Sequence, residues 1–214
     1  MLPNQPALLP SLRDEYFADY CRNKKVLHIG ACDAPFTREK LADGLLLHSR
    51  LSHSAAEVVG LDVDTDAIDY LRENGIGNIM HLDMNDINKI DFEPDVIIFG
   101  ETIEHLENIR TGLSNIIAAM NENTHLLIST PNALSLLNVF NAFFRKEHCH
   151  PDHVVNFTPT TLVQCLARNN LVVEEINFTF LNRKRLSVFK QIWRKLALIF
   201  PWYSETLIVS CRLQ

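Results

Sequence analysis

The sequence predicts an α/β protein whose central sheet is mostly parallel and covered by helices on both faces. Apolar strand-like runs alternate with helix-like segments along the first 130 residues, which is the pattern of βαβ units. Two of the runs, 95–100 and 124–130, are continuously apolar, as expected of central strands buried on both sides. The first run ends in a glycine turn at Gly30 and the second in a carboxylate at Asp62. We therefore expect a doubly wound sheet with a ligand site at the carboxyl ends of its strands.

The predicted elements follow one another in a regular order. After a proline-rich arm, Ser11 is a candidate N-cap for a short helix through Tyr20. Strands are expected at 26–30, 57–62, 78–82, 95–100, 124–130, 171–180 and 205–213. Helices are expected at 37–47, 65–74, 103–121, 134–145 and 158–169. Thr158 with Pro159 marks the start of the last helix, and the final strand is expected to run antiparallel at the sheet edge.

Size and composition limit the class of protein. With 214 residues, 47% of them hydrophobic, the chain can form one well-cored domain over 1–214, with an arm and helix at 1–23. The net charge of −6 gives no general attraction to nucleic acid or anionic membranes. Five cysteines without a CxxC pair argue against a disulfide framework and a cysteine-based zinc site. No signal-peptide pattern and no apolar run of roughly 20 residues is present, so we expect a cytoplasmic protein.

The loop after the first strand indicates which nucleotide cofactor to expect. It reads Gly30-Ala31-Cys32-Asp33, with one glycine, whereas a dinucleotide fingerprint has three so that a pyrophosphate can approach the backbone. Asp33 would also place negative charge where that diphosphate would lie. A nicotinamide or flavin oxidoreductase is therefore disfavoured. A cofactor without phosphates, such as S-adenosylmethionine, fits this loop better.

These residues together resemble the class I S-adenosylmethionine-dependent methyltransferases, and the similarity covers most of residues 24–180. Val26 to Asp33 resembles that family's first motif, and Asp62 its ribose-binding acid. The run 81–84 resembles the motif in which an acid contacts adenine, and 95–106 resembles the fourth-strand motif. The resemblance implies a single-domain, Rossmann-like sheet of seven strands, mostly parallel with an antiparallel edge strand.

The resemblance also implies which residues bind S-adenosyl-L-methionine. They are His28, Gly30, Ala31, Cys32, Asp33, Asp62, Val63, Asp83, Met84 and Glu101. Two features depart from the family pattern, since His28 stands where relatives usually carry an acid and a second glycine is missing near Cys32. His28 would contact the methionine portion through water or simply fill the strand end. The long spacing from Gly30 to Asp62 predicts an extended helix and loop at 37–56. Asp62 and Asp83, each taken alone, could be ordinary turn residues.

Glu101, Glu104 and His105 stand at i, i+3 and i+4. If a helix begins near Glu101, all three project from one face at the carboxyl end of the fourth strand. Two carboxylates and an imidazole would suit Mg²⁺, Mn²⁺, Fe²⁺ or Zn²⁺. His153, in the histidine-rich run 148–153, is our first choice for a fourth ligand.

This pattern is similar to metal-assisted O-methyltransferases, such as the ubiquinone-pathway enzymes and those that methylate the terminal 2′-hydroxyl of small RNAs. In those enzymes, by resemblance, the metal binds the acceptor hydroxyls and lowers their pKa. Many relatives with Glu-His-Leu at this place use no metal. His105 or His153 would then be a metal-free catalytic base, or the group would be purely structural.

We therefore expect methyl transfer to an oxygen of a small-molecule or carbohydrate-like acceptor, with 131–160 and 183–203 shaping the acceptor site. An RNA terminal 2′-O-methyltransferase is one alternative, which the acidic balance weakens. A non-catalytic cofactor-binding or scaffold protein is another. The basic segment 183–195 lies in a stretch without acids from 176 to 204 and has the apolar spacing of an amphipathic helix. It predicts a surface helix packed on the core, a contact for a phosphate-bearing acceptor or an anionic membrane, or a dimer contact.

Overall fold

A computed structural model describes residues 2–147 and 149–214 of the chain. The strands are β1 (Lys25–Ile29), β2 (Glu57–Asp62), β3 (Ile79–His81), β4 (Val96–Gly100), β5 (His125–Pro131), β6 (Leu171–Thr179) and β7 (Thr206–Leu213). The α-helices are α1 (Arg13–Tyr20), α2 (Thr37–Ala42), α3 (Leu47–Ser54), α4 (Thr65–Glu73), α5 (Ile109–Ala118), α6 (Leu136–Phe143), α7 (Pro159–Ala167) and α8 (Val188–Ala197). Short 3₁₀ helices lie at Met84–Lys89, Ile103–His105 and Pro201–Tyr203.

The seven strands form one sheet in the order β3-β2-β1-β4-β5-β7-β6. Strands β1 to β5 pair in parallel, and β7 runs antiparallel to both of its neighbours. This confirms the predicted α/β class and the mostly parallel sheet. The final strand is antiparallel as expected, but it inserts between β5 and β6, so that β6 forms the edge. The strand order reverses at β1 and β4, which opens a crevice at their carboxyl ends where ligands bind in such sheets.

Alternating side chains of the central strands bury the two faces of the sheet in separate cores. Leu27 of β1 packs in the larger cluster with Phe99 and Ile128. Its neighbour Val26 points to the opposite face and packs with Phe17 of α1 and Leu51 of α3. Both faces are therefore covered, as the continuously apolar runs predict.

The helices of the structure differ from the predicted ones in three places. The region 37–47 is not one helix, because α2 ends before Gly44 at φ +66° and α3 begins at Leu47. Helix α5 begins at Ile109 instead of near 103, where the Asn108 side chain accepts from the amide of Thr111. Helix α1 begins after Leu12, so Ser11 is not its N-cap. The predicted start of α7 is confirmed, because Thr158 caps it and Pro159 is its first residue.

Throughout the described part of the chain, every helix is too short or too polar to serve as a membrane span.

Candidate active site

The turn after β1 is held by backbone hydrogen bonds. Gly30 has φ +74°, and a Cβ there would lie 3.1 Å from Oγ1 of Thr102, so the position favours glycine. The amides of Gly30 and Ala31 both donate to the carbonyl of Leu61 at 2.9 and 3.0 Å. The next amide, of Cys32, donates to Asp62 at 2.8 Å. Three successive amides are thus engaged within the protein, so the turn presents no open cradle for a phosphate.

Asp62 ends β2 and ties the two strand-end loops together. One carboxylate oxygen accepts from Cys32, and the other accepts from the amides of Val63 at 2.8 Å and Asp64 at 3.0 Å. A carboxylate has about four lone-pair sites, and these three bonds leave acceptor capacity for a hydroxyl. The half-buried side chain is therefore fixed in orientation at the edge where the cofactor is expected.

The other predicted cofactor residues occupy the same edge of the sheet. Asp83 is exposed after β3, and its side chain caps the following 3₁₀ helix by accepting from the amide of Asn85 at 2.8 Å. Met84 is half-buried and packs on the larger core cluster. Asp33 has φ +56° and forms an ion pair with Lys40 at 2.5 Å. This pair offsets the negative charge of Asp33 within the loop.

His28 lies inside the core, where it stacks on His48 of α3. The ring centroids are 5.4 Å apart and the two Nδ1 atoms 3.2 Å apart. Burial lowers the pKa of His28 well below its usual range, and the neighbouring His48 lowers it further. Of the two roles predicted for His28, this placement favours filling the strand end.

Arg13 was not predicted as a site residue, but α1 places it at the same end of the sheet. Its side chain is buried; Nε pairs with Asp14 at 2.7 Å, and Nη1 lies 3.9 Å from Oε1 of Glu101. The charges of Asp14, Glu101 and Asp33 raise its pKa against the opposing effect of burial, so the guanidinium is charged. A buried cation between the first loop and β4 is suited to an anionic group of a ligand. The sequence offers one signal for this role of Arg13. It is a basic residue in the first turn of a helix, where the helix dipole disfavours a cation.

Glu101 does not share a face with Glu104 and His105. It follows β4 with φ +50°, so no helix begins there, and only residues 103–105 form a 3₁₀ turn. Its carboxylate is directed toward Arg13. Burial raises the pKa of Glu101, and Arg13 opposes that shift. The expected four-membered ligand set is therefore divided into Glu101 with Arg13 and a second group of three.

That second group brings together Glu104, His105 and His153. Their ligand atoms all lie within 4.8 Å of one another. Oε1 of Glu104 is buried 3.9 Å from Nε2 of His153, and it has no hydrogen-bond partner among the residues that the structure describes. The other oxygen of Glu104 accepts from the hydroxyl of Thr130 at 3.0 Å. The sequence could not indicate Thr130, because it is separated from Glu104 by 26 residues.

The predicted histidine-rich loop is held over this group by two hydrogen bonds. The amide of Val154 donates to the carbonyl of Glu104 at 2.9 Å. Nδ1 of His105 lies 3.1 Å from the carbonyl of Asp152. A carbonyl only accepts, so this contact places the proton on Nδ1 and leaves the lone pair on Nε2 of His105. His148, in the same predicted run, lies outside the described residues.

Burial and neighbouring charges shift the protonation of this group. Burial raises the pKa of Glu104 to about 8, and the charge of Glu101 adds to the shift. Burial lowers the pKa of His153, as do the nearby His105 and His150. The lowered pKa favours a neutral His153 imidazole, which is able to accept a proton or bind a cation.

The sheet order, the glycine turn and the acid that ends β2 together define the class I S-adenosylmethionine-dependent methyltransferase fold. A family model described as a methyltransferase domain matches residues 4–176. The chain therefore belongs to this methyltransferase family and is an S-adenosylmethionine-dependent enzyme. No curated protein sequence matches the chain.

Solved structures share the fold at low sequence identity. An S-adenosylmethionine-dependent methyltransferase from Archaeoglobus fulgidus is 18% identical with a TM-score of 0.59, and the match covers 94% of this chain and 91% of that one. The mitomycin 7-O-methyltransferase MmcR is 13% identical with a TM-score of 0.59, over 94% of this chain and 53% of that one. The small RNA methyltransferase HEN1 is 15% identical with a TM-score of 0.59, over 94% of this chain and 25% of that one. At these identities the likeness concerns the fold.

Proposed function

We propose that this enzyme transfers the methyl group of S-adenosylmethionine to a hydroxyl oxygen of a small-molecule or carbohydrate-like acceptor. The observation that carries the proposal is the convergence of Glu104, His105 and His153 at the carboxyl end of β4. This group is close to the cofactor turn, because Thr102, two residues before Glu104, lies against Gly30. A hydroxyl is a weak nucleophile until its proton is held or removed. Proton-accepting groups at this place therefore favour an oxygen acceptor.

The residues at the strand ends fit the parts of the cofactor. Asp62 retains capacity to accept from the ribose hydroxyls, and Asp83 with Met84 would hold the adenine. Arg13 and Glu101 offer opposite charges that match the carboxylate and ammonium of the methionine portion. When bound, S-adenosylmethionine supplies an activated methyl group on its sulfonium. The protein would then act mainly by holding the acceptor in line with that methyl group.

The second group also fits a divalent cation. Oε1 of Glu104 is buried and unpartnered within residues 2–147 and 149–214, and a cation would satisfy it. Glu104, His105 and His153 would hold Mg²⁺, Mn²⁺, Fe²⁺ or Zn²⁺. The carbonyl of Asp152 orients His105 in the way that outer partners orient metal-binding histidines. A bound cation lowers the pKa of a nearby hydroxyl. Without one, Nε2 of His105 or His153 would take the proton directly.

A second candidate is methylation of a terminal RNA 2′-hydroxyl. The group of one carboxylate and two imidazoles favours it, because a ribose end offers adjacent hydroxyls. The net charge of −6 weighs against it, since RNA binders usually carry a basic face. A gel shift with single-stranded RNA would distinguish the two candidates.

Methyl transfer from radiolabelled S-adenosylmethionine to matched alcohol and amine acceptors tests the proposal. We expect label on the hydroxyl oxygens of catechol and of sugar alcohols. His153→Ala should lose at least about 99% of the rate, which is the lower end of the hundredfold to ten-thousandfold contribution of a catalytic base. His53→Ala is the matched control, because His53 is exposed on α3. Label found only on amines, or a full rate in both His153→Ala and His105→Ala, would overturn the proposal.

Manganese binding tests the cation site separately. In the absence of cofactor, we expect electron paramagnetic resonance to detect Mn²⁺ binding by wild type. Glu104→Gln should bind Mn²⁺ at least about tenfold more weakly, since changing only the outer partners of metal ligands already costs that much. Equal binding by wild type and Glu104→Gln would rule out this site.

A further inference from the structure

Helices α6 and α8 carry exposed apolar side chains, with basic residues beside them in the sequence. On α6, none of the described residues is buried, and Phe143 is 83% exposed. Val188 at the start of α8 is 72% exposed, and Leu198 and Ile199 after its end are 73% and 70% exposed. Single exposed apolar residues are ordinary, but a cluster of large ones marks an interaction site.

Both helices contribute side chains to one small apolar cluster, which also contains Phe180. Leu136 and Leu137 of α6 contact the small cluster that contains Trp193 and Ala197 of α8. Trp193 is further fixed by donating from Nε1 to the carbonyl of Tyr203 at 2.7 Å. The helices are thus anchored by one side, and the exposed residues lie on their remaining sides. We call this the α6–α8 surface, defined by Phe140, Phe143 and Phe144 with Val188, Ile192 and Ile199.

The chain segment that forms α8 is rich in basic residues, some of which are paired with acids. Six Lys and Arg side chains lie between 183 and 195, and no acid occurs from 176 to 204, although the whole chain has a charge of −6. Arg183 and Lys184 pair with Glu205 and Asp43. Arg185 and Lys195 are exposed, and within the described residues neither has an acid within 4.0 Å. Arg145 and Lys146 add two exposed cations at the end of α6.

The topology places this surface at the edge of the sheet that carries the site. Helix α6 follows the carboxyl end of β5, and α8 follows that of β6. Both strands pair antiparallel with β7, so β5 and β6 point in the same direction. Any partner on this surface would therefore lie at the same edge as the cofactor turn.

We propose that the α6–α8 surface docks on an anionic phospholipid bilayer. Large apolar side chains on one side of a helix with Lys and Arg beside them are the pattern of helices that lie in a membrane interface. Trp202 and Tyr203, 39% and 41% exposed, add the amphipathic rings that favour the headgroup level. A second copy of the chain is a poorer occupant, because two such surfaces would bring like charges together. The docking does not depend on which acceptor is methylated.

Cosedimentation of the full chain with sucrose-loaded vesicles tests the proposal. We expect binding to phosphatidylcholine vesicles that contain phosphatidylglycerol, and weaker binding to phosphatidylcholine alone. Each Lys or Arg near an anionic surface contributes about fivefold. Arg185→Gln with Lys195→Gln should therefore weaken binding about 25-fold and reduce its salt dependence. The control is Arg22→Gln with Arg72→Gln, which removes two exposed charges elsewhere.

The apolar contribution is tested with Phe143→Ser and Ile199→Ser combined. Both positions are exposed, so we expect the melting temperature to be retained and vesicle binding to fall at least about tenfold. Met80→Ser on β3, where Met80 is 46% exposed, is the control and should bind like wild type.

Three results would overturn the proposal. They are absence of binding to phosphatidylglycerol vesicles, full binding by the Phe143→Ser and Ile199→Ser variant, and complete competition by soluble glycerol phosphate, which would indicate a phosphate site. Sedimentation equilibrium could give a fourth such result. If wild type is a dimer and the Phe143→Ser and Ile199→Ser variant is a monomer, this surface serves self-association instead.

Discussion

The carboxylate of Asp62 accepts a hydrogen bond from the backbone amide of Cys32 at 2.8 Å. Cys32 lies in the loop after β1 and Asp62 is the last residue of β2, so a single side chain fixes that loop relative to the end of β2. The same carboxylate is the predicted partner of the ribose hydroxyls. One orientation of the Asp62 side chain therefore serves both its structural role and its predicted role in cofactor binding.

Replacement of Asp62 tests this dual role. We expect Asp62→Ala to weaken binding of S-adenosylhomocysteine by about 10- to 100-fold, because hydrogen bonds to a charged group contribute about 1.5–3 kcal/mol. Isothermal titration calorimetry measures the change. Asp66→Ala is the control, since Asp66 is exposed in the first turn of α4. Unchanged affinity in Asp62→Ala would remove Asp62 from the cofactor site.

The turn at Gly30 offers a comparison of two glycines. Both Gly30 and Gly44 have positive φ, but a Cβ on Gly44 would meet nothing within 4 Å, whereas one on Gly30 would lie 3.1 Å from Oγ1 of Thr102. Gly44→Ala should therefore cost about 1 kcal/mol of unfolding free energy from backbone strain alone. Gly30→Ala should cost more and should also weaken cofactor binding.

Urea denaturation and titration with S-adenosylhomocysteine measure the two effects of Gly30→Ala. Thr102→Ala, which removes the crowded oxygen, should restore part of the stability when combined with Gly30→Ala. Equal losses in the Gly30 and Gly44 variants would show that contact with Thr102 is unimportant.

The strand bounds agree with the prediction to within one or two residues, because an apolar run of this length is a local property of the sequence. The correction at 37–47 arose from Gly44, which ends α2 where the apolar spacing alone continues. The division of the predicted ligand set arose from the positive φ of Glu101, which non-glycine residues seldom adopt and which no local pattern indicates. Arg13 was missed because its burial beside Glu101 depends on how α1 packs across the sheet. Contacts between distant segments are set by tertiary packing, which spacing rules do not describe.

The buried pair of His28 and His48 predicts a loss of stability in acid. Burial lowers the pKa of His48 to about 4 and that of His28 well below its usual range. Above pH 6.5 both are neutral in the folded and the unfolded chain, so their contribution is fully present. As pH falls from 6.5 toward 4, the unfolded chain binds protons that the folded chain does not, and the free energy of unfolding decreases. For His48 the loss is on the order of 3 kcal/mol.

The charged groups that face this pair are Arg13, Lys40 and Asp33. His48→Gln should therefore lose less stability than wild type between pH 7 and pH 4.5, measured by urea denaturation. His53→Gln, on the exposed side of the same helix, should behave like wild type. Parallel pH profiles for wild type and His48→Gln would contradict the prediction.

The buried charge of Arg13 should act on the amino-acid portion of the cofactor. Arg13 lies near Glu101, which follows β4, whereas Asp83 follows β3, two strands beyond β1 at the sheet edge. We therefore expect Arg13→Gln to weaken binding of S-adenosylhomocysteine about tenfold or more, since a charged hydrogen bond is lost. Binding of 5′-methylthioadenosine, which lacks the amino-acid portion, should be nearly unchanged. Arg13→Lys, which keeps the charge, should bind S-adenosylhomocysteine with an affinity between those of wild type and Arg13→Gln. Arg22→Gln, just after α1, should have no effect. A purely structural role would instead weaken both ligands equally, so the ratio of the two dissociation constants decides whether Arg13 contacts the cofactor.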